Sequence, residues 1–175
     1  MSTFKIHLFL GYTYLENFFY FLMELIPHPL RLLFFKILFK NIGKQCLIDY
    51  KTYFRYPRKI SIGDNVSINR GCEFYASFLV HEGYIQIGDN VTFSPHVKLF
   101  AIGHTYNDFG LEDFAAPITI GNNVWIGANS IILPGVKIGD GAIVGAGSLV
   151  LKDIPSGTVS FGAPSKVAKQ RGGYF

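Results

Sequence analysis

The sequence is poor in the residues that several chemistries require. It has two cysteines, Cys46 and Cys72, with no CxxC pair and no Cys/His ligand spacing. That excludes a zinc ribbon or a dithiol redox motif. Charged residues make up only 16%, and the net charge of +4 comes with no basic stripe interleaved with aromatics. A nucleic-acid partner is therefore not expected. Disorder is excluded by the 49% hydrophobic content. No small-residue cleavage site follows the apolar N-terminal run, so no removable secretory signal is expected. The expected location is the cytoplasm, or the inner face of the membrane. Glycine is plentiful, at 19 residues, but has no triplet period, which excludes a collagen-like chain and suits a turn-rich repeat.

The sequence does have a beat of six. Aliphatic residues stand at Ile120, Ile126, Ile132, Ile138, Val144 and Val150, and glycine follows four of them. Four residues after each anchor comes a small or β-branched side chain: Val124, Ser130, Val136, Ala142, Ser148 and Ile154. This period fits neither an α-helix nor a lone hairpin. It fits a chain that runs straight, turns and repeats, which predicts an all-β solenoid. Earlier rungs are read at Ile42-Gly43, Ile48 and Phe54, then Ile62-Gly63, Ile68 and Phe74, then Ile87-Gly88, Phe93 and Leu99. Cys46 and Cys72 fall in the small-residue slot and are expected to be buried, reduced thiols.

Three regions are predicted: a hydrophobic helical segment over 1–41, the repeat over 42–155, and a C-terminal tail over 156–175. In the first, Pro27 and Pro29 split an apolar stretch into helices over roughly 14–26 and 29–41, with Pro29 in a first turn. Neither piece reaches the ~20 residues that span a bilayer. Residues 12–40 have two readings. One is a cap on the end of the repeat. The other is a hairpin lying in a membrane interface, because the segment is apolar nearly all round. The repeat itself is broken twice, between Phe74 and Ile87 and between Leu99 and Ile120. Insertions in solenoids leave as loops and often carry function. The second, AIGHTYNDFGLEDFAAP over 101–117, is the place to look for chemistry.

The run from Ile120 through VWIGANS and VGAGSLVLKDIP to GAPSKV resembles the hexapeptide-repeat acyltransferases, in particular the sugar and xenobiotic acetyltransferases. HTYND followed by APITIG is closest to the polysaccharide-modifying members. The resemblance implies a left-handed parallel β-helix of triangular section. It also implies a homotrimer with each active site between neighbouring subunits, and an acetyl-CoA donor with no metal. An N-terminal helical hairpin and an extruded catalytic loop would complete the fold.

By the same resemblance His104 is the catalytic residue. Transfer from a thioester to a hydroxyl needs a base near neutral pH, which imidazole supplies. Direct attack is implied, without a covalent acyl-enzyme. Asp108 and Glu82, each in an inserted loop, are candidates for orienting the imidazole or binding the acceptor. The asparagine–aspartate pair of the galactoside enzymes is not reproduced in FYASFLVHEG. His81 and His96 lack the close pairing of a metal site, and His7 and His28 have no evident partners. CoA contacts are implied at Ala128, Ala146, Lys152, Lys166 and Lys169, with Trp125 packing a groove wall or subunit contact. The expected activity is O-acetylation of a sugar in a surface polysaccharide or its precursor. The alternatives are N-acetylation of an amino sugar or xenobiotic, or a non-catalytic or metal-binding trimer on the same fold.

Overall fold

The structure is a computed structural model that describes residues 3–78, 80–105, 109–110 and 112–172. Two helices come first, α1 over Thr3–Glu24 and α2 over His28–Leu38. The first begins well before residue 14, running through Gly11, and at 22 residues is longer than expected. Among the described residues no helix is long and apolar enough to cross a membrane. Pro27 caps α2 from an extended conformation and Pro29 lies in its first turn, where a missing N–H costs nothing. The helix stops at Leu38, short of residue 41, because Lys40 N–H turns to the carbonyls of Pro57 and Ile60.

From Asn41 the chain visits three parallel sheets in rotation. The first holds Asn41–Ile42, Ile60–Ile62, Ile85–Ile87, Ile118–Ile120 and Lys137–Ile138. The second holds Leu47–Ile48, Ser67–Ile68, Thr92–Phe93, Trp125–Ile126 and Ile143–Val144. The third holds Tyr53–Arg55, Glu73–Tyr75, Lys98–Phe100, Ile131–Ile132 and Leu149–Val150. Each strand pairs in parallel with its counterpart one turn earlier and one turn later, so every backbone edge except the ends is satisfied.

The six-residue beat places one side chain per strand inside. Anchors from Ile48 to Val150 are buried, and Phe54, Phe74 and Phe93 form an internal aromatic ladder with ring centroids 4.9 and 5.2 Å apart. Each such ring contributes about 1.5–3 kcal/mol by burial. The small slot fills the corners. Where it is polar, its hydroxyl is satisfied three residues back: Ser130 Oγ donates to Gly127 O at 2.8 Å, and Ser148 Oγ to Gly145 O at 2.6 Å. Cys46 and Cys72 occupy the same slot as buried free thiols, and burial pushes the Cys72 thiol up to about 11.

The glycine after an anchor lets the turns stack closely. At Gly121 a Cβ would strike Asp140, whose Oδ1 accepts Asn122 N–H at 2.6 Å. Asn122 Oδ1 in turn accepts Asp89 N–H, and Asp89 Oδ1 accepts Asp64 N–H. This ladder of turn side chains zips the corner between the first and second sheets.

The tail does not leave the stack at Pro155. Ile154 bridges Ile138, and Thr158–Gly162 joins the second sheet parallel to Ile143–Val144. The chain then turns through a cis Ala163-Pro164 bond, and Ser165–Gln170 pairs antiparallel with that strand. Ile154 lies four positions after Val150, not six, and takes an anchor position beside Ile138 instead of the small slot its spacing predicted.

Candidate active site

Both breaks in the beat leave the stack at the same corner, between the third sheet and the first. After Phe100 the chain folds back on itself: Ile102–His104 pairs antiparallel with Asp113–Ala115, in the register Ile102–Ala115, Gly103–Phe114, His104–Asp113. The foot of this hairpin is fixed by Ala101 N–H donating to Tyr75 O at 2.8 Å and Ala116 N–H donating to Ala101 O at 3.2 Å. Ala101 and Ala115 are buried there. The alternation of the two short arms leaves His104 exposed at the far end.

His104 Nδ1 lies 3.3 Å from Asp113 Oδ1. An Nδ1–H given to that carboxylate fixes the tautomer in which Nε2 carries the lone pair. Asp113 is thus the carboxylate that the described residues set beside this imidazole. Asp108 itself lies outside the described residues. The matched arms IGH and DFA were the available signal, since directly opposed side chains on antiparallel strands meet.

Glu82 is exposed on the other inserted loop. That loop packs against the hairpin's foot: a Cβ on Gly83 would lie 3.1 Å from Ala115 Cβ, and Ser77 N–H donates to Gly83 O at 2.7 Å. Below the hairpin, the outer surface of the third sheet carries Tyr75 stacked on Phe100 at 4.8 Å. Glu73 accepts from Lys98 at 2.8 Å and from Tyr75 at 2.6 Å. Burial alone would raise the Glu73 carboxyl, but these two donors outweigh it and hold it below the usual range. Burial, with the Glu73 charge, pushes the Tyr75 phenol up to about 12.

The bacterial transferase hexapeptide family (six repeats) matches residues 117–152. The chain is 40% identical over 141 residues to the galactoside O-acetyltransferase of Escherichia coli (strain K12), a match covering 77% of this chain and 66% of that protein. It is 30% identical over 131 residues to a putative colanic acid biosynthesis acetyltransferase of the same strain, covering 75% of this chain and 69% of the relative. The chain belongs to the hexapeptide-repeat acetyltransferases. A solved galactoside acetyltransferase in complex with coenzyme A superposes with a TM-score of 0.73 at 38% identity, over 80% of this chain and 69% of that one. The chain spans just under two thirds of the length of the galactoside relative.

In this member of the family the residues expected to meet the donor fall at two corners. Ala128 and Ala146 follow the second sheet one turn apart, with Gly147 N–H donating to Ala128 O at 2.7 Å. Phe161 stands over Gly145 on the next turn, so the strand bearing Lys166 and Lys169 continues that corner's edge. Among the described residues the N–H groups of Ala128 and Ala146 have no acceptor, which suits a ligand rich in amides. Lys152 is exposed on the corner after Leu149–Val150, between the third sheet and the first, and does not join them. Trp125 is 49% exposed on the second sheet, its Nε1–H donating to Ser94 Oγ at 3.0 Å. His28, which had no evident partner in sequence, accepts Ile48 N–H at 3.2 Å and is structural. Among the described residues no three His, Cys, Asp or Glu side chains converge as a metal site.

Proposed function

We propose that this chain is an acetyl-CoA-dependent O-acetyltransferase acting on a sugar hydroxyl of a surface polysaccharide or its precursor. The observation that carries the reading is the His104–Asp113 pair on an extruded hairpin, in a chain that is 40% identical to a galactoside O-acetyltransferase. The donor supplies an acetyl thioester. His104 Nε2 takes the acceptor proton as the hydroxyl oxygen attacks, and returns it to the departing sulfur. Asp113 holds the imidazole and stabilises its transient positive charge. A backbone N–H stabilises the developing oxyanion. No acyl group is carried on the protein. The unpaired backbone N–H groups of Ala128 and Ala146 bind the pantetheine arm, Lys166 and Lys169 on the same corner meet phosphates, and Lys152, on the hairpin's corner, reaches them from a neighbouring copy.

We read the rotating sheets as a left-handed β-helix and the working enzyme as a homotrimer. The trimer is supported by the placement of the site's two parts. His104 projects from one corner and Ala128 and Ala146 line another, so one side of the stack separates them. A neighbouring copy is what joins a hairpin to a donor corner. Phe109, Phe114 and Trp125 are exposed apolar surface that such a neighbour would cover. Glu82, beside the hairpin's foot, is the acceptor-side candidate. The free thiols and the acetyl-CoA donor support a cytoplasmic location.

The test is thiol release from acetyl-CoA against a panel of saccharides, with mass spectrometry of the product. An acetyl ester on a neutral sugar is expected. Release only with amino sugars, giving an amide, would transfer the reading to N-acetylation. No release with any acceptor would contradict it.

A further inference from the structure

The helical hairpin is turned inside out relative to an ordinary surface helix pair. Its polar side chains point inward, to the unpaired backbone edge at the first turn of the stack. Arg31 donates to Ile48 O, Glu24 Oε1 accepts Lys51 N–H at 2.6 Å, and Tyr20 OH donates to Phe54 O at 2.6 Å. The apolar side chains are left outside. Phe18, Phe21, Leu25, Leu30, Leu33 and Ile37 are each between 51% and 72% exposed. Between Leu10 and Leu38 the exposed polar side chains other than tyrosine are Asn17 and Lys36. A terminal cap whose outer face met only water would carry a polar outer face.

Charge is segregated toward the same end. Residues 1–63 hold nine lysines and arginines against three acidic residues, whereas residues 64–175 hold seven against nine. The three acidic residues are engaged locally: Glu16 accepts from Tyr53, Glu24 from Lys51 N–H, and Asp49 from Tyr50 N–H. Lys36, Lys40 and Lys44 are exposed on and just after α2. An apolar face rimmed by uncompensated cations complements an anionic lipid surface. No described helix is long and apolar enough to cross a bilayer, which leaves the interface as its place.

We propose that the helical hairpin docks the protein on an anionic phospholipid surface, with the outer residues of both helices in the acyl boundary and Lys36, Lys40 and Lys44 at the headgroups. The geometry also bears on the acceptor, a point that rests on the acetyltransferase reading. The catalytic hairpin leaves the third sheet after its third strand, two strands from the docked end. At about 4.8 Å per strand that is about 10 Å along the stack, and the helical layer adds about 10 Å more. A glycan still attached to a lipid lies within reach of a site at that height.

The test is flotation of the full chain with vesicles of phosphatidylcholine alone or with phosphatidylglycerol, at low and high salt. The wild type is expected to float with the mixed vesicles and to lose most binding at high salt. Leu33→Glu with Ile37→Glu is expected to lower binding at least tenfold. Lys36→Glu with Lys40→Glu and Lys44→Glu is expected to lower it similarly on mixed vesicles. Both variants should keep the wild-type thermal shift with CoA, showing that they are folded. Failure of the wild type to float, equal flotation on neutral vesicles, or wild-type binding by Leu33→Glu/Ile37→Glu would overturn the proposal. So would a larger oligomer formed without lipid and lost in that variant, which would assign the face to a second copy. Flotation without thiol release would leave docking standing and remove the acetyltransferase reading.

Discussion

Asp113 stands directly across the antiparallel ladder from His104, with its Oδ1 3.3 Å from the imidazole Nδ1. The two residues are brought together by strand register alone, since both are exposed and neither is walled in by core packing. Asp113→Asn keeps the size and removes the charge. It is expected to lower kcat about 10- to 100-fold, a part of the ~10²–10⁴ that a positioned base supplies. KM for acetyl-CoA should change little, and Asp113→Glu should recover part of the loss. Steady-state kinetics of the three proteins checks this. An unchanged kcat in Asp113→Asn would remove the pair from the mechanism.

Gly127 leaves room for the next turn at the corner proposed to bind the donor. A Cβ there would collide with the backbone nitrogen of Ala146 and come within 2.8 Å of its Cα. Backbone on a parallel ladder gives way poorly, so Gly127→Ala is expected to cost about 1–3 kcal/mol. It should also weaken CoA binding, because Ala146 is the residue displaced. Urea denaturation and a CoA titration read the two effects together. A wild-type midpoint would contradict the turn spacing described above.

Glu16 gives a pH-dependent signature of the cap. Burial raises its carboxyl above the usual value, and hydrogen bonds from Tyr53 and Tyr12 offset this only in part. Below the unfolded value, about 4.3, both states are protonated and the group has no effect. As pH rises past it, the unfolded chain ionises more readily than the folded one, and stability is lost until the folded value is passed. The Tm of Glu16→Gln relative to wild type should therefore rise as pH increases from about 4. A difference that stays constant with pH would mean that Glu16 is not held in a desolvating contact.

The beat of six was legible because each anchor from Ile48 to Val150 is a buried side chain on a strand too short to hold any other pattern. Ile126, Ile132 and Val144 are each 0% exposed. The end of the stack was less legible. Shortening the corner between Val150 and Ile154 moved the register, so the next inward positions are Thr158 and Ser160, which carry no aliphatic signal. The length of α1 was hidden by Gly11 and by Lys5 and His7, which interrupt the apolar run without interrupting the helix. At the site, His104 could be picked out by its loop and motif. Asp113 was not, because the pairing of the arms IGH and DFA that signals it depends on where the hairpin turns. The inverted hairpin was half legible: composition showed an all-round apolar segment, but only packing shows which few polar residues it turns inward.

The central claim is that His104 is the base that moves the acceptor proton. His104→Ala should lower thiol release with a saccharide acceptor about 10²–10⁴-fold while leaving the dissociation constant for CoA within a factor of two or so of wild type. Turnover near the wild-type rate in that variant would contradict the account.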